Sequence, residues 1–108
     1  MVKTEKINYL NLKANLDFPF ITRKFSIKAG EYKGGEVLQL GADGVLEPLV
    51  AGGNPHSVLT QPYSSTDNFK GIVYLTGSLD ATKLIMPQDE DIKTYEEKFR
   101  NKSIFLVY

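Results

Sequence analysis

The apolar positions of this chain fall in short runs separated by glycine, proline and small polar residues, the pattern of brief strands joined by turns. Phe25 and Ile27 alternate with Lys24, Ser26 and Lys28, which predicts a strand with two apolar side chains on one face and three polar ones on the other. Ala29 and Gly30 end it. Residues 36–40 and 45–50 flank Gly41-Ala42-Asp43-Gly44, where glycine and aspartate tolerate the backbone of a tight reversal, so a hairpin is predicted. Pro48 lacks an amide donor, which puts the second strand at an edge or gives it a bulge. Val58 and Leu59 form a short strand after the loop of residues 52–55, and residues 61–68 read as a polar loop with Ser64-Ser65-Thr66-Asp67 as turn material. Residues 69–75 are the most hydrophobic stretch and predict a central strand covered on both faces.

Thr76-Gly77 breaks that run, and Ala81-Thr82-Lys83-Leu84-Ile85-Met86 ends at Pro87. Asp89-Glu90-Asp91 then opens the one convincing helix. Ile92, Tyr95 and Phe99 repeat at i, i+3 and i+7, with acidic residues in the first turn and Lys98, Arg100 and Lys102 towards the end, as the helix dipole favours. Residues 103–108 read as a last strand, apolar enough to need a sheet or an interface. At the other end, Ile7, Tyr9, Leu10 and Leu12 sit among polar residues before Asp17-Phe18-Pro19-Phe20 interrupts any strand. Residues 1–20 therefore read as an extended N-terminal arm and 21–108 as a β-rich domain. The fold class is mainly β, with one short C-terminal helix.

Length and charge narrow the function. The chain has 108 residues, 42% hydrophobic and 24% charged, the profile of one soluble globular domain. A chain this long buries roughly 65% of its unfolded surface, so oligomerisation would help it. The 13 basic and 13 acidic residues give no cationic excess for phosphate neutralisation, which argues against direct nucleic-acid binding. Distribution is another matter: residues 1–33 carry +4 and the remainder −4. With no cysteine there is no disulfide or thiolate site, and with one histidine, His56, no two-histidine metal site. The first residues lack an apolar signal core and no apolar run approaches about 18 residues, so the protein is expected to stay in the compartment where it is made.

Each piece of candidate chemistry has a plainer explanation beside it. His56 could polarise Ser57 or Ser64, yet no Gly-x-Ser-x-Gly elbow is present and strand neighbours point to opposite faces, so Ser57 is expected to face away from the ring. Asp89, Glu90 and Asp91 could attract a divalent cation but lack the alternating calcium-loop pattern, and a helix start accounts for them. Gly34-Gly35 and Gly52-Gly53 lie outside any phosphate-loop context and read as turn glycines. The arm's apolar residues are too few for membrane insertion; they suit the exposed strand edge of another protein, or packing on their own domain.

Three features in order resemble the lambda-type head decoration proteins of tailed bacteriophages. The first is Leu38-Gln39-Leu40-Gly41-Ala42-Asp43-Gly44 to Val50, leading into Pro55-His56-Ser57-Val58-Leu59. The second is Val73-Tyr74-Leu75-Thr76-Gly77-Ser78-Leu79-Asp80-Ala81-Thr82-Lys83-Leu84, before a hydrophobic triplet and Pro87. The third is the acidic helix start followed by a hydrophobic C-terminal strand. The leading third of the chain departs most from the pattern. The resemblance implies a β-clip-like domain that forms a homotrimer on the outer capsid surface of a virion. It would bind three-fold sites of the expanded head, after synthesis in the host cytoplasm, and stabilise the major capsid protein shell against DNA pressure. It implies no enzyme activity, cofactor, metal, membrane or small-molecule substrate. The capsid-binding arm would use Ile7, Tyr9, Leu10, Leu12, Phe18 and Phe20, and the trimer interface is expected among Leu84, Ile85, Met86, Phe105 and Tyr108, runs that core burial explains equally well. Alternatives are a head-tail connector or tail component, a host β-rich binding module with an aromatic pocket of Tyr32, Tyr63 or Tyr74, and a hydrolase centred on His56.

Overall fold

The longest apolar stretch organises the molecule. In a computed structural model, which describes residues 20–108, it becomes a twelve-residue strand, Phe69–Asp80, that pairs with three others. The strands in chain order are β1 (Ile21–Ile27), β2 (Gly30–Tyr32), β3 (Val37–Leu40), β4 (Leu46–Pro48), β5 (Ser57–Leu59), β6 (Tyr63–Ser65), β7 (Phe69–Asp80) and β8 (Ile104–Val107). Neighbours run β1-β4-β3-β5-β7, and β7 returns to β1, closing a small mixed barrel of five strands; β8 adds to β7 in parallel. A 3₁₀ turn (Ala81–Lys83), a second one (Ile92–Tyr95) and the short helix α1 (Glu96–Arg100) complete the chain. The fold is mainly β with one short C-terminal helix. The arm residues Ile7, Tyr9, Leu10, Leu12 and Phe18 lie outside the described residues.

The two-residue period of the strands divides the interior in two. Each barrel strand sends one side chain to a shared cluster: Ile27, Leu46, Leu38, Leu59 and Val73 are all fully buried together, with Tyr32 at one end. The adjacent residue in β3, β5 and β7 faces the opposite way. Val37, Val58 and Tyr74 form a second cluster with Leu79, Tyr95, Phe99 and Ile104, beneath α1 and β8. Covering on both faces, as predicted for residues 69–75, is thus literal: Val73 enters one core and Tyr74 the other.

The predicted hairpin is present, with Leu38 opposite Pro48 and Leu40 opposite Leu46. Gly44, at φ +81°, takes the reversal, and the Asp43 carboxylate accepts from Val45 N–H at 3.2 Å. Hydrogen bonds from Gly41 N–H to Val45 O and from Leu49 N–H to Val37 O leave the Pro48 nitrogen pointing away from β3, so its missing donor removes no hairpin bond.

Three elements differ from expectation. β7 does not stop at Leu75: Gly77, at φ +139°, carries the strand on to Asp80, and any Cβ there would overlap the Phe20 ring. The supposed loop of residues 61–68 contains β6, which pairs with β2 because Tyr32 and Tyr63 both pack on Phe69. The helix begins as a 3₁₀ turn capped by Asp91, whose side chain accepts from Lys93 N–H, and becomes α-helical only at Glu96. Its predicted face is correct, with Tyr95 and Phe99 buried and Ile92 packed alongside.

Candidate functional site

The barrel is not evenly closed. β1 has seven residues and β4 three, and the two strands meet at a single parallel position, Ile27 with Leu46, next to a hydrogen bond from Lys28 N–H to Leu46 O at 2.9 Å. Backbone groups alternate sides along a strand. Arg23, Phe25 and Ile27 lie opposite Val73, Gly71 and Phe69 and turn their groups to β7, whereas Thr22, Lys24 and Ser26 turn theirs towards β4. Since β4 runs parallel to β1 and begins only at Leu46, opposite Ile27, after the reversal at residues 41–44, no described strand pairs with Thr22 or Lys24 along this edge. Among the described residues this leaves an open sheet edge. Ile21, Thr22, Arg23 and Lys24 are all exposed.

Phe20 sits at the head of this edge. Its ring fills the space that the absent Gly77 side chain leaves and meets Tyr74 edge-on, with centroids 6.1 Å apart. Of the residues expected to contact a capsid, Phe20 therefore packs against its own domain, and β1 starts immediately after this anchor.

The residues expected at a trimer interface are spread over a second region. Leu84 and Met86 are half-buried against the outer core, while Ile85 is partly exposed and bridges to Glu36 in parallel, with Val37 N–H donating to Ile85 O. Phe105 is half-buried on β8, the last strand of its sheet; Ile104 and Leu106, on the other face, belong to the core. Tyr108 is exposed. Its hydroxyl donates to Glu96 Oε1 at 3.2 Å and Lys93 lies over its ring; partial burial and that carboxylate hold the phenol above its ordinary pKa.

His56 and Ser57 are closer than the strand rule predicts. His56 Nδ1 lies 3.1 Å from Ser57 Oγ, because His56 precedes β5 and is free of the pleat that would turn it away. Ser57, however, is fully buried, and the imidazole packs edge-on against Phe25 at 5.2 Å. Burial, and then the charge of Lys102, lower the His56 pKa below its ordinary 6.5. Among the described residues no three His, Asp or Glu side chains gather as metal ligands. Asp91 caps the 3₁₀ turn, and Glu90 accepts from the Tyr95 hydroxyl at 2.6 Å. Gly52 and Gly53 serve a clamp: Gly52 N–H donates to Tyr95 Oη at 2.7 Å, and Lys98 Nζ donates to both glycine carbonyls.

Tyr32 and Tyr63 meet across β2 and β6 at Phe69, while Tyr74 lies apart from them. Tyr32 is in the barrel core and Tyr74 in the outer one; the Tyr32 hydroxyl donates to Lys28 O, and that of Tyr63 accepts from Ile72 N–H. The open edge was not found from the sequence, because it depends on where β4 starts relative to β1, a long-range pairing that no local pattern encodes. The sequence, compared with models of known protein families and with curated proteins, matches none.

Proposed function

We propose that this chain is a structural decoration protein of a tailed-phage head: a β-clip-like domain that trimerises on three-fold sites of the expanded shell and braces neighbouring major capsid protein subunits against DNA pressure. The observation that carries the reading is the junction at Phe20. The leading segment joins the rigid barrel at a ring locked between Gly77 and Tyr74, directly ahead of an open strand edge. A leader fixed at such a point transmits load from whatever it grips to a body held by two cores.

The energetics favour three weak grips over one strong one. Burying Ile7, Tyr9, Leu10 and Leu12 at about 2 kcal/mol each yields about 8 kcal/mol. Ordering five to eight residues at roughly 1–2 kcal/mol apiece cancels most of that before strand hydrogen bonds are added. A single arm holds weakly. Three on one trimer act at high effective concentration, with avidity of about 10² or more per added arm. Phe105, Tyr108 and Ile85 supply the apolar surface that the trimer would cover. The function requires no catalytic step and no cofactor.

The test removes residues 1–19 and keeps Phe20, so that the Gly77 cleft stays filled. The truncated protein should remain a trimer by mass photometry and fail to sediment with expanded heads that bind the full chain. Undiminished binding would refute the arm's role, a monomeric full chain would refute the avidity argument, and a ring of another order would favour a connector or tail component.

A further inference from the structure

The open edge of β1 is selective as well as vacant of any described strand. Thr22 and Lys24 turn their N–H and C=O groups outward along it, which is the hydrogen-bonding requirement for adding a strand. The side chains around it are cationic. Lys24 and, opposite Ser26, Lys70 are exposed on the outer face; Arg23 is exposed on the other face; Lys28, half exposed, closes the far end with Glu47 at 3.5 Å. Glu47 is the one carboxylate in this set.

Lysines on an edge discourage edge-to-edge aggregation, because a second cationic or apolar strand would gain hydrogen bonds only by crowding or desolvating these charges. An acidic strand escapes that penalty. Laid beside β1, its alternate side chains would fall next to Lys24 on one face, with Lys70 one strand further across the same face, and next to Arg23 on the other. A second copy's leading segment is a poor candidate, since Lys3, Lys6 and Lys13 outnumber Glu5 and Asp17 there. We infer that the β1 edge receives an extended acidic segment of a partner protein by strand addition. This does not rest on the capsid reading.

The test uses the full chain and a fluorescent peptide of about eight residues alternating Glu and Thr, long enough to span β1. Two control peptides replace Glu by Lys, or carry N-methyl groups on alternate amides so that charge is kept and strand pairing lost. The acidic peptide should bind and slow hydrogen exchange at Thr22 and Lys24, and both controls should fail. Doubling the charge change with Arg23→Glu and Lys24→Glu, both at exposed positions, should weaken binding about tenfold or more, as two exposed ion pairs allow. No binding, equal binding of the N-methylated peptide, or protection confined to another strand would overturn the inference. None of these results bears on whether the leader grips a head, because no head is present.

Discussion

His56 illustrates how a side chain's neighbours decide its role. In sequence it stands beside a serine, the beginning of a nucleophilic pair, and in space the two are within hydrogen-bonding distance. The serine is sealed inside the barrel, so the contact works as a fastener at the start of β5, together with the His56 N–H donated to Leu38 O. A measurable consequence follows from protonation. Burial, then Lys102, holds the folded imidazole below its ordinary pKa, while the unfolded chain's imidazole titrates near 6.5. As pH falls through that value the unfolded state takes up a proton that the folded state resists, so stability should decline with acidification, until the folded group's own lower pKa is passed. His56 is the chain's one histidine. Melting temperatures between about pH 7.5 and 5 should fall more steeply in the natural protein than in His56→Gln, and parallel curves would show that this ring contributes nothing to the slope.

At the scale of elements, local periodicity was readable and pairing across distance was not. The buried face shared by Tyr95 in the 3₁₀ turn and Phe99 in α1, and the hairpin around Gly44, depend on residues within about one turn or one reversal of each other. β2 and β6 have three residues each with no apolar alternation, and their pairing depends on rings from three separate segments meeting at Phe69. The open edge of β1 is harder still to read, because openness belongs to the strand that fails to reach it. The helix entry can be checked in isolation. The Asp91 carboxylate accepts from Lys93 N–H at 3.0 Å, so Asp91→Ala should cost about 1 kcal/mol and Asp91→Asn much less. Urea unfolding would show this as a lower midpoint with unchanged slope; equal midpoints for both variants would remove the cap from the account.

For the molecule as a whole the question is whether two cores make one cooperative body. β5 and β7 both link them, since the adjacent pairs Val58–Leu59 and Val73–Tyr74 are fully buried in opposite clusters. β1 links them too: Phe20, just before it, packs on the outer cluster, and Phe25 and Ile27 belong to the barrel. Separating the clusters would mean breaking strands that both share, so the described residues should unfold in a single transition. Leu59→Ala, in the barrel, should cost roughly 2–5 kcal/mol, and Val58→Ala about 2 kcal/mol, from lost transfer energy plus the cavity. Followed by tyrosine fluorescence and by far-ultraviolet circular dichroism, each variant should show one transition at a lowered, probe-independent temperature. Two transitions, each moved by only one of the substitutions, would mean that the cores are independent. The anchor at Phe20 could then loosen while the barrel remained intact, and the load path proposed to run through it would be lost.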